Sequence, residues 1–227
     1  MPLNRDTITE VIRFCNRDLV PDHQFGSTNQ FHNEWFKDYF SFLGAPNVEV
    51  QLGDAFYQAR FMYKLMNALN LPFNKHKGIV KFQIIQYASI CEAVLDTAIR
   101  HFFGNDAETF FSVSEYVKFS NAVSVDTKIT CGGTQLFLCK IKKKNGDLKR
   151  TRIDNRTEYA VSKGLISQAT KDSFDSLYDL RNNIHIIKAA NSQYVPKLRE
   201  SKEAFILMQT FVGEIKNYYN THTNTTI

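Results

Sequence analysis

The chain has 227 residues, which is enough to bury a substantial core as one large domain or as a domain with an extension. Hydrophobic residues make up 43% and charged residues 22%, as is ordinary for a globular protein. The formal net charge of +5 is compatible with a nucleic-acid partner but does not establish one.

The apolar runs and the N-terminus predict a soluble, cytoplasmic protein. The first residues lack a basic region followed by an apolar run, so we expect no secretory signal. No run approaches the roughly 18–20 apolar residues that span a bilayer. The cysteines lack the spacing of a zinc knuckle, so we expect free, buried thiols in a reducing cytosol and no metal or other cofactor. These cysteines are Cys15, Cys91, Cys131 and Cys139.

The first half of the chain is predicted to be helical. Apolar spacing, capping residues and the stops Gly44, Pro72 and Gly104 favour a series of helices. The predicted ranges are 6–20, 34–43, 54–70 with Asp54 as its cap, 78–103 and 106–120.

Residues 134–153 lack the helical spacing of the preceding segments, and their pattern predicts a β-hairpin. Two strand-forming runs, 134–141 and 148–153, flank Asn145-Gly146, which favours a type I′ turn because both of its positions take positive φ. The segment carries seven cations within thirteen residues. These are Lys140, Lys142, Lys143, Lys144, Lys149, Arg150 and Arg152. We expect phosphate contacts from this basic hairpin, with a solvated edge strand as the alternative.

The last part of the chain is predicted to be helical again. Residues 155–163 and 168–188 form helices around a Lys163-Gly164 turn, and Pro196 opens a final helix to about residue 219. Residues 221–227 are polar and predict a flexible tail.

One motif in the helix 168–188 could carry chemistry. Arg181 and His185 are four positions apart and would share a helical face. Arginine neutralises a phosphate through its fork of donors, and histidine titrates near neutral pH. This pairing suits phosphodiester chemistry.

Leu180-Arg181-Asn182-Asn183-Ile184-His185 resembles the motif of HEPN domains, the all-helical module of prokaryotic RNases and defence toxins. The preceding Gly164-Leu165-Ile166 turn and the apolar helix with Glu92 resemble the same family. The resemblance implies a mainly α fold: a HEPN-like helical bundle over 78–220, with the hairpin inserted and residues 1–77 as a helical N-terminal extension.

The resemblance also implies roles for these residues. His185 would act as the acid or base, Arg181 would stabilise the charge on the phosphate, and Asn182 would orient a phosphate oxygen or the histidine. From the residues themselves, Glu92 lies inside an apolar helical face and needs a partner, so we expect it to support the site by pairing with Arg181, with a role as a catalytic acid as the alternative. Family members act without metal, usually as homodimers with two motifs in one cleft.

Two functions follow as hypotheses. The first is a metal-independent endoribonuclease that acts on RNA as a toxin or antiviral effector. The second is a non-catalytic binding or scaffold module in a defence or toxin-antitoxin complex, with a cognate antitoxin or defence-system protein as its partner. The second is favoured by the three residues between Arg181 and His185, where the family usually has four to six. A DNA-binding regulator that uses the hairpin is a third possibility.

Overall fold

The protein is mainly helical in the computed structural model, which describes residues 4–16, 35–118, 130–131, 134–135, 139–144, 146–184 and 194–223. The helices are α1 (Arg5–Asn16), α2 (Pro46–Ala68), α3 (Phe73–Phe110), α4 (Ile153–Ser162), α5 (Gln168–Asn183) and α6 (Leu198–Thr223). Short 3-10 turns lie at Ser41–Leu43 and Leu148–Arg150. The strands are β1 (Val113–Lys118), β2 (Thr130–Cys131), β3 (Thr134–Gln135) and β4 (Cys139–Lys144).

The chain divides into two compact units. The first comprises residues 1–98 and 153–227, and the second comprises residues 99–152. Helix α3 therefore begins in the first unit and ends in the second, and its backbone leaves the helical region at Phe103, with φ −132° and ψ 16°. The sequence placed the end of this helix next to Gly104, one residue from that kink.

The predicted boundary between residues 77 and 78 falls inside α3. Residues 1–77 thus share the first unit with residues 78–98 and with the C-terminal helices. The assignment of 78–220 to a HEPN-like bundle stays a prediction.

The core of the first unit is built from apolar stripes on α2, α3, α5 and α6. Helices α5 and α6 pack directly against each other, as do α4 and α5. Apolar side chains at helical spacing bury one face of each helix because that removes them from water. The most deeply buried of them include Phe56, Ala59, Ile84, Tyr87, Cys91, Leu95, Phe174, Met208, Phe211 and Ile215.

The start of α2 differs from the prediction. The helix begins at Pro46, so Asp54 lies inside it and does not cap it. Proline at the first helical position has its φ already set and lacks only an N–H that would have no partner there. The buried Glu49 carboxylate accepts a 2.8 Å hydrogen bond from the Ala45 N–H.

The α4–α5 turn confirms the prediction made from Lys163-Gly164. Gly164 has φ 73°, and the Leu165 N–H bonds the Ala160 carbonyl at 2.9 Å, which closes the end of α4. Ser167 then caps α5, and its hydroxyl accepts a hydrogen bond from the Thr170 N–H.

The hairpin predicted over 134–153 does not form. Strand β4 pairs antiparallel with β1, and residues 148–150 form a 3-10 turn instead of a strand. Among the described glycines, positive φ occurs at Gly44 and Gly164 but not at Gly146. A Cβ at Gly146 would lie 2.5 Å from the Phe111 backbone, so this glycine permits a close approach of two backbones. Asn145 lies outside the described residues.

Two other elements differ from the prediction made from the sequence. The helix predicted over 106–120 ends at Phe110, and β1 follows from Val113. Helix α6 continues to Thr223, so the start of the predicted flexible tail is helical, and residues 224–227 lie outside the described residues.

Candidate anion site at the C-terminal end of α5

The candidate motif lies at the C-terminal end of α5. Arg181 and Asn182 occupy the last turn, and both are partly buried. Ile184 follows as the C-cap and is 6% exposed. His185 lies outside the described residues, so its predicted place on the face of Arg181 stays a prediction.

The N-terminal end of α5 is held by a partly buried carboxylate, that of Glu214. Glu214 of α6 accepts hydrogen bonds from the Ser167 N–H at 2.7 Å, the Ser167 hydroxyl at 2.9 Å and the Thr170 hydroxyl at 2.7 Å. A carboxylate at this position complements the positive end of the helix dipole. These bonds fix the register of α5 against α6.

Aromatic packing continues this anchoring along α5. The Phe174 ring lies 4.9 Å from that of Phe211 on α6, and the Tyr178 ring lies 6.1 Å from that of Phe174. Leu177 is buried in the same interface. The helix that carries Arg181 is thus tied to the core over most of its length.

Arg181 has an environment that suits anion binding. Its guanidinium carbon lies 4.9 Å from the centroid of the Tyr178 ring. Within the described residues it makes no ion pair. A partly buried cation with no neutralising carboxylate retains its full attraction for an anion, since the surrounding protein screens it less than water does. Arg181 therefore supplies a positive charge that can pair with a phosphate, although it lies at the negative end of the α5 dipole.

Glu92 does not pair with Arg181, and that prediction is wrong. Its Oε1 lies 2.7 Å from Nη2 of Arg156 on α4, and Asp96 Oδ1 lies 2.5 Å from Nη1 of the same residue. Glu92 and Asp96 are one helical turn apart on α3 and bracket the guanidinium. Glu92 is therefore a structural partner of Arg156 in this conformation.

The charge of the buried Arg156 guanidinium is balanced by two partly exposed carboxylates. Arg156 is 5% exposed, whereas the Glu92 and Asp96 side chains are 26% and 23% exposed. Burial by itself lowers the pKa of the Arg156 guanidinium, but the attraction of Asp96 and the hydrogen bonds to both carboxylates outweigh it, so the pKa lies above its ordinary value. Both terminal nitrogens of Arg156 are thus bonded to carboxylates, whereas its buried Nε has no hydrogen-bond partner among the described residues.

Sequence reasoning missed Arg156, although a signal was present. Ile153, Arg156, Thr157 and Ala160 are spaced as one helical face, and all four are buried. A cation in the middle of such a face needs an acidic partner. Glu92 and Asp96, four apart on an otherwise apolar helix, were available in the sequence to supply it.

The predicted basic residues lie in the second unit. Lys140, Lys142, Lys143 and Lys144 are in β4, Lys149 and Arg150 are in the 3-10 turn, and Arg152 follows it. Side chains alternate along a strand, so Lys142 and Lys144 share one face of the ribbon and Lys143 points to the other. The lysines Lys142, Lys143 and Lys144 are exposed. The cations therefore lie in a strand, in a 3-10 turn and directly after that turn, and not on the two strands of one hairpin as the sequence predicted.

Two of the predicted free thiols are confirmed, because Cys15 and Cys91 are unpaired and buried. Burial raises the pKa of the Cys91 thiol well above its usual value. Cys131 and Cys139 lie in strands whose side chains are outside the described set.

The remaining features of the described residues concern metal ligands and a long apolar helix. Among the described residues, no group of three or more His, Cys, Asp or Glu side chains could hold a metal ion. One described helix segment, His76–Phe110 within α3, is long and apolar enough to cross a membrane by length and composition alone, and half of its most apolar stretch is buried. Burial of this kind is also typical of a core helix.

No family model, no curated protein and no solved structure matches this chain. The resemblance to HEPN domains therefore rests on the motif and on the helices around it.

Proposed function

We propose that this protein is a metal-independent endoribonuclease of the HEPN type that acts as a homodimer in a toxin or antiviral defence system. The observation that carries the proposal is Arg181: a partly buried arginine at the motif position that makes no ion pair with any described residue, while Glu92 is occupied by Arg156. The motif resemblance supplies the chemistry.

The proposed reaction is an internal transfer at a phosphodiester. The ribose 2′-oxygen attacks the adjacent phosphorus as its proton passes to a base, and the bond from phosphorus to the 5′-oxygen breaks as that oxygen gains a proton. The products are a 2′,3′-cyclic phosphate and a 5′-hydroxyl. His185 would be the acid or base, and Arg181 would stabilise the extra negative charge through its donors. Asn182 would orient a phosphate oxygen or the histidine.

The homodimer proposal has support from the surface beside α5. An open cavity of about 600 Å³ lies between α5 and α6, with Leu177, Leu180 and Leu207 among its lining residues. Ile206 at its edge is 51% exposed. An interface here would remove this apolar surface from water. It would also bring two copies of the motif helix close together, so that one substrate could meet both.

The test is RNA cleavage by purified protein in EDTA, with the ends of the products mapped. Arg181→Ala and His185→Ala should each retain a folded circular-dichroism spectrum and lose roughly 100-fold or more in rate, the usual scale for a lost proton-transfer or charge-stabilising group. Arg199→Ala, which removes an exposed arginine on α6, is the matched control and should cleave normally. DNA should be bound but not cut, because it lacks the 2′-hydroxyl. A requirement for magnesium, or equal cleavage of DNA, would rule out this mechanism.

The alternative is a non-catalytic HEPN-like binding or scaffold module whose partner is a cognate antitoxin or defence-system protein. The observation that favours it is the end of the α5 helix at Asn183, two residues before His185. Expression in cells distinguishes the two functions. Toxicity that disappears with His185→Ala indicates the nuclease, whereas a non-toxic wild type that cleaves no RNA indicates the scaffold.

A further inference from the structure

The contact between Tyr178 and Arg181 differs from the contacts that hold Arg156, and it resembles the one in which the guanidinium carbon of Arg60 lies 4.6 Å from the centroid of the Phe205 ring. Tyr178 lies one turn before Arg181 on α5, and the guanidinium carbon is 4.9 Å from the ring centroid. Arg156, in contrast, is held at its donor edge by two carboxylates. One arginine is fixed through its charge and its hydrogen bonds, and the other through an aromatic ring.

A ring contact orients a guanidinium without using its hydrogen-bond donors. The five N–H groups of arginine point outward in the plane of the group, whereas the attraction to an aromatic ring acts on the group as a whole through the quadrupole of the ring. Tyr178 can therefore restrict the orientation of Arg181 and leave the donor fork available for a bidentate contact with a phosphate. A carboxylate partner would have occupied that fork.

Tyr178 is itself held in place. Its ring packs against Phe174 at 6.1 Å, and Phe174 is fully buried and packs against Phe211 of α6 at 4.9 Å. A row of three rings thus connects the core of the first unit to Arg181. Rigid support of this kind reduces the entropy lost when a flexible arginine orders around a ligand.

We infer that Tyr178 is the positioning residue that orients Arg181 toward a phosphate group of the RNA substrate. The inference rests on the proposed function, because it assigns Arg181 to a phosphate. Tyr178 acts through its ring face and not through its hydroxyl, so phenylalanine should replace it and an aliphatic residue should not.

The experiment compares kcat and KM for RNA cleavage in a set of variants. Tyr178→Leu should lower kcat about 10-fold, the scale of a cation–π contact in a partly buried site, and change KM much less. Tyr178→Phe should stay within about 2-fold of wild type, because the ring face is kept. Tyr218→Leu is the matched control: Tyr218 is a partly buried tyrosine on α6 that stacks on His222, and its loss should leave kcat unchanged.

The double variant Tyr178→Leu/Arg181→Ala separates positioning from general structural support. If Tyr178 acts only through Arg181, the double variant is as slow as Arg181→Ala alone. Additive losses, a normal kcat for Tyr178→Leu, or an equal loss in Tyr178→Phe would overturn the inference.

If the proposed function is wrong, the same variants give a different pattern of cleavage rates. If Arg181→Ala cleaves as fast as wild type, the catalytic assignment fails, and the role of Tyr178 fails with it. If wild type binds RNA without cleaving it, the affinity for a single-stranded RNA oligonucleotide replaces kcat as the readout. Tyr178→Leu should then weaken binding, with no further loss in the double variant relative to Arg181→Ala, and unchanged binding by Tyr178→Leu would overturn the inference.

Discussion

At the scale of single residues, Arg156 and Arg181 of the first unit have opposite electrostatic situations. Arg156 is buried and compensated by Glu92 and Asp96, whereas Arg181 is partly buried and its guanidinium carbon lies 4.9 Å from the centroid of the Tyr178 ring. A compensated buried ion pair is sensitive to the loss of one partner because the remaining charges stay in a poorly solvated environment. Arg181, which makes no ion pair with any described residue, is instead the arginine that the proposed function assigns to a ligand.

Removal of Arg156 should destabilise the protein. Arg156→Ala leaves two carboxylates one turn apart, and we expect the free energy of unfolding to fall by about 3 kcal/mol, as for other broken buried pairs. Arg156→Lys keeps the charge but not the fork, so its loss should be smaller. Urea denaturation followed by circular dichroism measures both.

The control for this prediction is Arg199→Ala. Arg199 pairs with Glu203 at 3.1 Å, but the two side chains are 79% and 59% exposed, and such pairs contribute at most about 1 kcal/mol. Equal stability losses for the two alanine variants would mean that the Arg156 cluster does not form as described.

At the scale of elements, the sequence predicted the ends of a helix where a capping or turn residue next to the end sets them. Gly164 at positive φ and Ser167 with its capping hydroxyl mark the end of α4 and the start of α5 within a residue or two of the predicted positions. Strand pairing was not predictable in this way. β4 takes β1 as its partner, more than twenty residues earlier in the chain, and no short-range turn signal can report such a pairing.

The basic strand β4 should contribute to RNA affinity. Replacement of Lys142, Lys143 and Lys144 with Glu should weaken binding and reduce the slope of log affinity against log salt by about 2, because fewer counterions are released from a single strand. Titrations of a fluorescent RNA at several salt concentrations measure this.

A matched charge control uses three exposed lysines outside the strand. This control variant replaces Lys197, Lys202 and Lys216 with Glu, and it changes the net charge of the protein by the same amount as the β4 variant does. If this variant loses as much affinity as the β4 variant, only overall charge matters. Unchanged binding by the β4 variant would assign the lysines to solubility.

At the scale of the whole molecule, the unit of residues 1–98 and 153–227 contains both the motif helix and the open cavity between α5 and α6. The cavity wall formed by α5 includes the small side chains Ala169, Ser173 and Ser176. Small residues permit the close approach of another helix, and leucines beside them supply apolar area. The proposed two-fold axis should therefore pass near this face of α5.

The expected dimer can be tested by a substitution on that face. The wild type should be a dimer by light scattering at micromolar concentration, and Ser176→Arg should shift it toward monomer, because a long cation in an apolar interface is costly to desolvate. Ser162→Arg on α4 is the control, since both serines are exposed and both hydroxyls bond a carbonyl of their own helix. A monomeric wild type, or a Ser176→Arg variant that stays dimeric, would contradict the proposed interface.

The sequence by itself determined the mainly helical character of the protein and the approximate ranges of α3 to α6. Helical periodicity, caps and stops are properties of neighbouring residues, so they can be seen without knowledge of the fold. It also pointed to Arg181 and to the need of Glu92 for a cationic partner.

Only the tertiary structure decided which cation that partner is and which strand pairs with β4. Arg181 and Arg156 are equally possible partners for Glu92 in the sequence, and the packing of α4 against α5 and the rest of the core brings Arg156 to α3. Contacts between distant residues depend on how whole elements pack, because a guanidinium must come within about 3 Å of its carboxylate to bond it. Among the described residues, the same packing leaves Arg181 beside the ring of Tyr178 and without a carboxylate partner.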